Sequence, residues 1–203
     1  IIATTDENTK NKIVKSTNSQ TGLKPEQLDA LNNFHKMLEE YYKSQHSTFK
    51  DLQLYYERRT NQYRNSGITQ TKIINIPKQI KTVTSMFLDN PHGVSGHYGT
   101  VARKVRDEIF KEGDKLEPYF VSSVLYYRLE SFFRKNKEYR SYTRMKWHIL
   151  MTIKYLLVND GKFSPKLNSK EVQNLSNEIL KKIKDEDKTF DLIKSAIKII
   201  EEM

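Results

Sequence analysis

No cysteine occurs among the 203 residues, which excludes disulfides, thiol nucleophiles and thiolate-bound zinc or iron–sulfur centres, and fits a reducing compartment. Any metal would have to be held by histidine and carboxylate side chains. No apolar run approaches the ~18 residues that cross a bilayer, and Ile1-Ile2-Ala3 is too short for the core of a signal peptide. No membrane partner is expected. Acidic residues are the third shortage, with 25 Asp and Glu against 35 Lys and Arg. The carboxylates do not gather beside a lysine as metal-dependent nucleases require. Internal repeats and low-complexity tails are missing as well.

What is present is a formal charge of +10, which favours an anionic partner such as nucleic acid or a nucleotide. The cations are spread over many segments, so a merely solvated basic surface is the competing reading. The length suits one large domain or two small ones and buries a sizeable core. Periodicity predicts a mainly α fold, a multi-helix bundle with a small β-hairpin-like element near residues 53–76.

Taken in order, Ile1 and Ile2 read as the end of a strand. A lone three-residue strand is not stable, so the expectation is a fragment whose upstream part supplies the rest of a sheet. Asp6 suits an N-cap for a short helix to about residue 16 that buries Ile13 and Val14. The polar stretch from Ser16 to Gly22 reads as a loop, either a plain capping turn or one that turns Asn18 and Gln20 toward a ligand. Pro25 begins an amphipathic helix over residues 25–44 with Leu28, Leu31, Phe34, Met37, Leu38 and Tyr41 inward. Residues 53–59 and 72–76 read as strands, separated by a helical turn that Ser66-Gly67 breaks, and Pro77 opens the next helix. His35 and His46 have no second ligand at helical spacing and read as structural or solvated.

The segment 89–100 is the most glycine-rich of the chain and reads as a loop. It has neither the Lys-Ser/Thr ending of a P-loop nor the preceding strand of a dinucleotide fold. His92 and His97 lie close in sequence but find no further ligands there, so no metal site is assigned. Helices are then expected over residues 100–111, ended by Gly113, over 119–135 and over 139–158, the last with an apolar arc wide enough for a central helix. Residues 159–167 form a turn-rich connector. Beyond it, helices from Asn168 or Ser169 to Ile183 and over 189–201 form a hairpin in which Val172, Leu175 and Ile179 face Phe190, Ile193 and Ile197. The domain expectation is a core domain over 1–160 with the C-terminal hairpin, 161–203, packed on it.

Two segments carry site-like chemistry. In Leu54-Tyr55-Tyr56-Glu57-Arg58-Arg59-Thr60-Asn61-Gln62-Tyr63-Arg64, arginine forks, amides and aromatic faces come together, the set that reads a polar anion. Candidate anion-binding residues here are Tyr56, Arg58, Arg59, Gln62 and Arg64, with Glu57 a weak candidate for acid–base catalysis. A half-buried ion network that pairs an arginine with Glu57 is the alternative. In residues 134–144, Arg140 and Arg144 alternate with Tyr139 and Tyr142, a pattern that can grip single-stranded nucleic acid by phosphate contacts and stacking. The alternative is a solvated corner with its tyrosines folded onto the core.

The blocks Ile2-Ala3-Thr4-Thr5-Asp6, Ile13-Val14 with Thr17-Asn18-Ser19-Gln20-Thr21, Leu54-Tyr55-Tyr56-Glu57-Arg58-Arg59 and Phe87-Leu88-Asp89-Asn90-Pro91-His92 resemble, in order and spacing, the abortive infection phage resistance (AIPR) family over residues 1–130. The resemblance implies a bacterial cytoplasmic protein of phage defence that acts near nucleic acid. It also implies an upstream region with an Asn-Gly-x-Gln-Thr motif and, in some members, a nuclease-like domain, neither of which is in this chain. Asn18, Gln20, Tyr56, Glu57, Arg58 and Arg59 match the family's recurrent motifs, without individual roles. The function expected is a nucleic-acid-interacting module. Alternatives are part of a nuclease or nucleotide-hydrolysing centre completed by the upstream region, and a helical interaction domain that forms a homodimer through the C-terminal hairpin. No cofactor is identified, and a divalent metal is expected only where an upstream region completes its site.

Overall fold

The computed structural model describes residues 6, 9, 32–49, 52–94, 98–105, 107–158 and 165–202. The expectations for residues 10–31, Asn18 and Gln20 among them, lie outside that set, as does His97. Asp6 Oδ1 accepts from the Thr9 N–H at 2.7 Å.

The first helix, α1, runs Asn33–Ser44 and starts where the Asn32 side chain accepts from the Phe34 N–H. Its buried side is Phe34, His35, Leu38, Glu39 and Tyr42, while Met37 is 45% exposed. The arc is therefore turned away from the expected Met37, while Tyr41 packs on its edge against Phe120 as expected. It takes in two polar residues because each finds a buried partner, and a paired polar group is tolerated in a core.

Two short strands follow at the expected places, β1 (Tyr55–Glu57) and β2 (Ile73–Asn75). Their pairing is parallel, with Tyr55 opposite Ile73, Tyr56 opposite Ile74 and Glu57 opposite Asn75. The expected hairpin is corrected on this point. Parallel strands need a crossover of about a dozen residues or more, and residues 58–72 supply it as a run of turns ending in a 3₁₀ turn at Gln70–Lys72. Gly67, at φ +72°, closes those turns in a conformation where a side chain would be strained.

Asn75 ends β2 and caps α2 (Ile76–Phe87), its side chain accepting from the Lys78 N–H at 3.0 Å, with Pro77 in the first turn. Helix α3 runs Tyr98–Val105, shorter than the expected 100–111. Residues 107–116 are turns instead, with Phe110 at φ +56°. The Tyr119 hydroxyl fixes them, accepting from the Phe110 N–H and donating to Asp114 Oδ2, both at 2.7 Å. Helix α4 (Glu117–Lys135) carries Pro118 in its first turn.

The expected helix 139–158 divides into a 3₁₀ helix, Lys137–Met145, and α5, Lys146–Leu157. Helices α6 (Lys170–Lys182), capped by Ser169, and α7 (Glu186–Glu202) complete the fold. The expectation of a mainly α protein with a small β element near residues 53–76 is met.

Helix α2 packs on α4 and α5, α6 on α4, and α7 on both α5 and α4. One hydrophobic cluster runs from Phe34 to Ile197. The most enclosed helices are α2 and α4, not the segment 139–158 that its apolar arc nominates. At the α2–α4 seam the buried Gln79 accepts from the Tyr42 hydroxyl at 2.6 Å and donates to the Tyr119 carbonyl at 2.9 Å, so the polar groups there are satisfied from within. Ile193 and Ile197 are buried in the chain's own core, which removes them from any docking face.

Candidate nucleic-acid interface

The tyrosine–arginine stretch begins in β1 and continues into the 58–72 crossover. Alternation along β1 turns Tyr56 fully inward, where its hydroxyl lies 2.6 Å from His35 Nδ1 and its ring stacks on the imidazole. Burial, with Arg58 nearby, pushes His35 down to about 3, so the ring is neutral at physiological pH. Tyr55 packs edge-on to His46 and Tyr63. These aromatics are internal packing, and Tyr56 is out of reach of a ligand base.

Arg58 Nε donates to Glu39 Oε2 of α1 at 3.1 Å. The other oxygen of that carboxylate accepts from Gln62 Nε2 at 2.7 Å and Lys43 Nζ at 2.9 Å. Burial pushes the Glu39 carboxyl up, but hydrogen bonds from Lys43, Arg58 and Gln62 outweigh it and hold the group below its ordinary range. An arginine does sit in a half-buried ion network, and its partner is Glu39, not Glu57. The arrangement latches the crossover to α1. Arg59 and Arg64 point to solvent from the same turns, and Glu57 is half-buried at the end of β1. Among the described residues no group of three or more His, Asp or Glu side chains gathers as a metal site would require.

Glu39 was not marked out by the sequence. A signal was available, since it follows Leu38 on the same helical arc and stands four residues before Lys43.

The corner at 137–145 is organised by its 3₁₀ geometry. With three residues per turn, side chains at i and i+3 eclipse one another, so Tyr139, Tyr142 and Met145 form one row and Lys137, Arg140 and Thr143 another. The first row packs on the core, with Tyr139 5.0 Å from the Phe132 ring. The Tyr142 hydroxyl donates to Glu201 of α7. Lys137, Arg140 and Arg144 are exposed. The tyrosines are thus turned toward the core and the cations toward solvent, where Glu138 and Ser141 are exposed with them.

An open cleft of about 1170 Å³ lies at the α6–α7 turn, lined by Arg128, Leu157, Lys181, Lys182, Lys184, Asp185 and Glu186, and Lys188 and Asp191 of α7. Arg128 builds its wall, with Nη1 3.1 Å from Glu186 Oε1 and Nη2 donating to the Lys184 carbonyl at 2.9 Å. Lys181, Lys182, Lys184 and Lys188 are exposed around it. Glu186 also pairs with Lys135 at 2.6 Å, the last residue of α4 before the corner. Hydrogen bonding from Lys135 holds the Glu186 carboxyl below its ordinary range. Glu186 thus ties Arg128 in the wall of the cleft to Lys135 at the end of α4. Sequence reading found the corner and passed over the cleft, because its lysines are unremarkable until the α6–α7 turn folds them against Arg128.

A family model described as AIPR protein matches residues 1–203. No curated protein matches the chain, and no solved structure matches it.

Proposed function

The chain belongs to the AIPR family, and from that premise we propose that it is a nucleic-acid-interacting module of a bacterial phage-defence protein. The observation that carries the reading is the exposure of cations in two places, Lys137, Arg140 and Arg144 on the corner and Lys181, Lys182, Lys184 and Lys188 around the cleft. Lysines and arginines arrayed over an open surface suit phosphates at successive positions along a backbone, and such contacts position a strand without reading its bases. The tyrosines are committed to the core, so the proposed contact is electrostatic and sequence-tolerant. Arg59 and Arg64 are further exposed cations, on the crossover.

The test is binding of fluorescently labelled single- and double-stranded oligonucleotides at ~50 mM salt, where phosphate contacts are least screened. Affinity that falls when Arg140, Arg144 and Lys181 are changed together to Glu supports the proposal. Absence of binding by the unaltered chain to either form overturns it. A catalytic reading through Glu57 gains no comparable support, since no group of three or more His, Asp or Glu side chains gathers among the described residues.

A further inference from the structure

The cleft at the α6–α7 turn gathers its charges as a pocket does. Lys181, Lys182, Lys184 and Lys188 come from one short stretch of chain and line a single cavity together with Arg128. The turn that carries them is held in place. Arg128 ties both Glu186 and the Lys184 carbonyl to α4, and Lys182 Nζ donates to the Leu157 carbonyl at the end of α5 at 3.2 Å. A cavity fixed in this way before its ligand arrives loses less to ordering on binding.

Five cations line the cleft against three carboxylates, Asp185, Glu186 and Asp191. Each carboxylate is already engaged. Asp185 Oδ1 accepts from the Lys188 N–H at 2.9 Å, Glu186 pairs with Arg128 and Lys135, and Asp191 lies 3.4 Å from Lys194. Lys181 and Lys188 make no ion pair among the described residues. The lining therefore keeps an excess of two positive charges in one place. A phosphate within a strand carries one negative charge, whereas a terminal phosphate carries about 1.5 to 2 at pH 7 and offers three acceptor oxygens. Leu157 and Leu192 line the same cavity and supply the apolar face that a ligand pocket sets beside its few polar groups. Its volume of about 1170 Å³ is just above the ~300–1,000 Å³ of single-ligand sites, room for one end of a molecule and not for the length of a strand.

We propose that the cleft seats the terminal phosphate of a nucleotide, at the end of a nucleic-acid strand or on a free nucleotide, with Lys181 and Lys188 as donors and the sugar or base against Leu157 and Leu192. The inference rests on the nucleic-acid reading for the class of its ligand and narrows it from phosphates in general to those at an end. Arg128 is a positioning residue here, since both of its Nη atoms are spent on the wall.

The experiment is fluorescence anisotropy of the full chain with one single-stranded oligonucleotide sequence bearing a 5′-phosphate, a 3′-phosphate or hydroxyls at both ends, at ~50 mM salt. AMP and ATP are titrated in parallel by calorimetry, with adenosine as the phosphate-free control. A terminal phosphate is expected to tighten binding about tenfold, as one hydrogen bond between charged groups does. The gain should shrink below about pH 6, where that phosphate loses its second charge. In the double variant Lys181→Ala, Lys188→Ala, at two exposed positions and with its fold checked by circular dichroism, the gain should vanish. A gain for strands without binding of AMP or ATP supports the site with a strand end as its ligand. Saturable AMP or ATP binding that the double variant loses, without binding of any oligonucleotide, supports it with a free nucleotide as ligand and overturns the nucleic-acid reading. Equal affinity for phosphate-ended and hydroxyl-ended strands, with no binding of AMP or ATP, overturns the inference and leaves the nucleic-acid reading standing. A gain that survives in the folded double variant also overturns it, and no binding of any probe overturns both.

Discussion

Glu39 receives three donors from two directions, and what it loses on mutation follows from that count. Glu39→Gln keeps the shape but removes the charge that Arg58 and Lys43 face. Hydrogen bonds to charged groups are worth about 1.5–3 kcal/mol, so a stability loss of about 2 kcal/mol is expected, read as a lower urea midpoint at unchanged slope. Its pH dependence has a definite sign. The Glu39 carboxyl is depressed in the native state, so its contribution is complete above its unfolded value near 4.5 and disappears as pH falls through the lower native value. That acid-side component should be absent from Glu39→Gln. His35 acts in a different window. It is neutral in the native protein down to about pH 3, while the unfolded chain takes up its proton near 6.5. Between these values the unfolded state binds more protons, so stability falls with falling pH, by at most about 1.4 kcal/mol per unit. The double variant His35→Phe, Tyr56→Phe removes donor and acceptor together and should flatten the dependence between pH 6.5 and 4.5. An unchanged slope would mean that His35 is charged in the native state.

At the scale of elements, much was legible because it is written in local chemistry. Asn75 with Pro77, Pro118 and Ser169 mark helix starts, and each element begins where its cap and first-turn residue place it. Strand direction was not legible. Two β-branched or aromatic runs separated by turns suit a hairpin and a parallel pair alike, and the crossover that the parallel pair needs is latched to α1 by Glu39, which lies outside it. The 3₁₀ corner was ambiguous for a related reason. Tyr139, Tyr142 and Met145 are spaced by three, which both helix types accept, and only packing against Phe132 and α7 selects the tighter one. The same geometry separates stability from binding. Tyr139→Ala should cost about 2 kcal/mol, less than the ~3–5 kcal/mol for a fully buried aromatic, and leave oligonucleotide affinity intact once folding is corrected for. Arg140→Ala should change stability by no more than about 0.5 kcal/mol, as surface substitutions do, and weaken binding. Loss of affinity in a folded Tyr139→Ala protein would restore the stacking role that the inward row denies it.

For the whole molecule, charge is the property that sequence and structure share most directly, and the distribution of that charge is what folding adds. The count of +10 suggested an anionic partner without saying where, since its cations are scattered along the chain. Folding brings Arg128 and Lys135 of α4 onto Glu186 at the start of α7, a juxtaposition between positions more than fifty residues apart that no local pattern announces. The consequence is measurable as a salt slope. Each phosphate contact contributes about 0.9 to the dependence of log affinity on log salt for duplex DNA and about 0.7 for a single strand. Single substitutions of Arg140, Arg144 or Lys181 by Ala should each reduce the slope by about one such increment, similarly for oligonucleotides of different sequence. A variant that lowers affinity for one sequence only would point to base readout instead. No helix of the described residues is long and apolar enough to cross a membrane.

Helix α7 covers faces of both α4 and α5, and the order of synthesis gives that arrangement a cost in time. A ribosome adds about 5–20 residues per second, so roughly two to eight seconds separate the completion of α5 at Leu157 from the appearance of Ile193 and Ile197. Throughout that interval Phe132, Ile149 and Ile153 are in a nascent chain without the helix that shields them, which is the period when a chaperone that grips apolar segments has its opportunity.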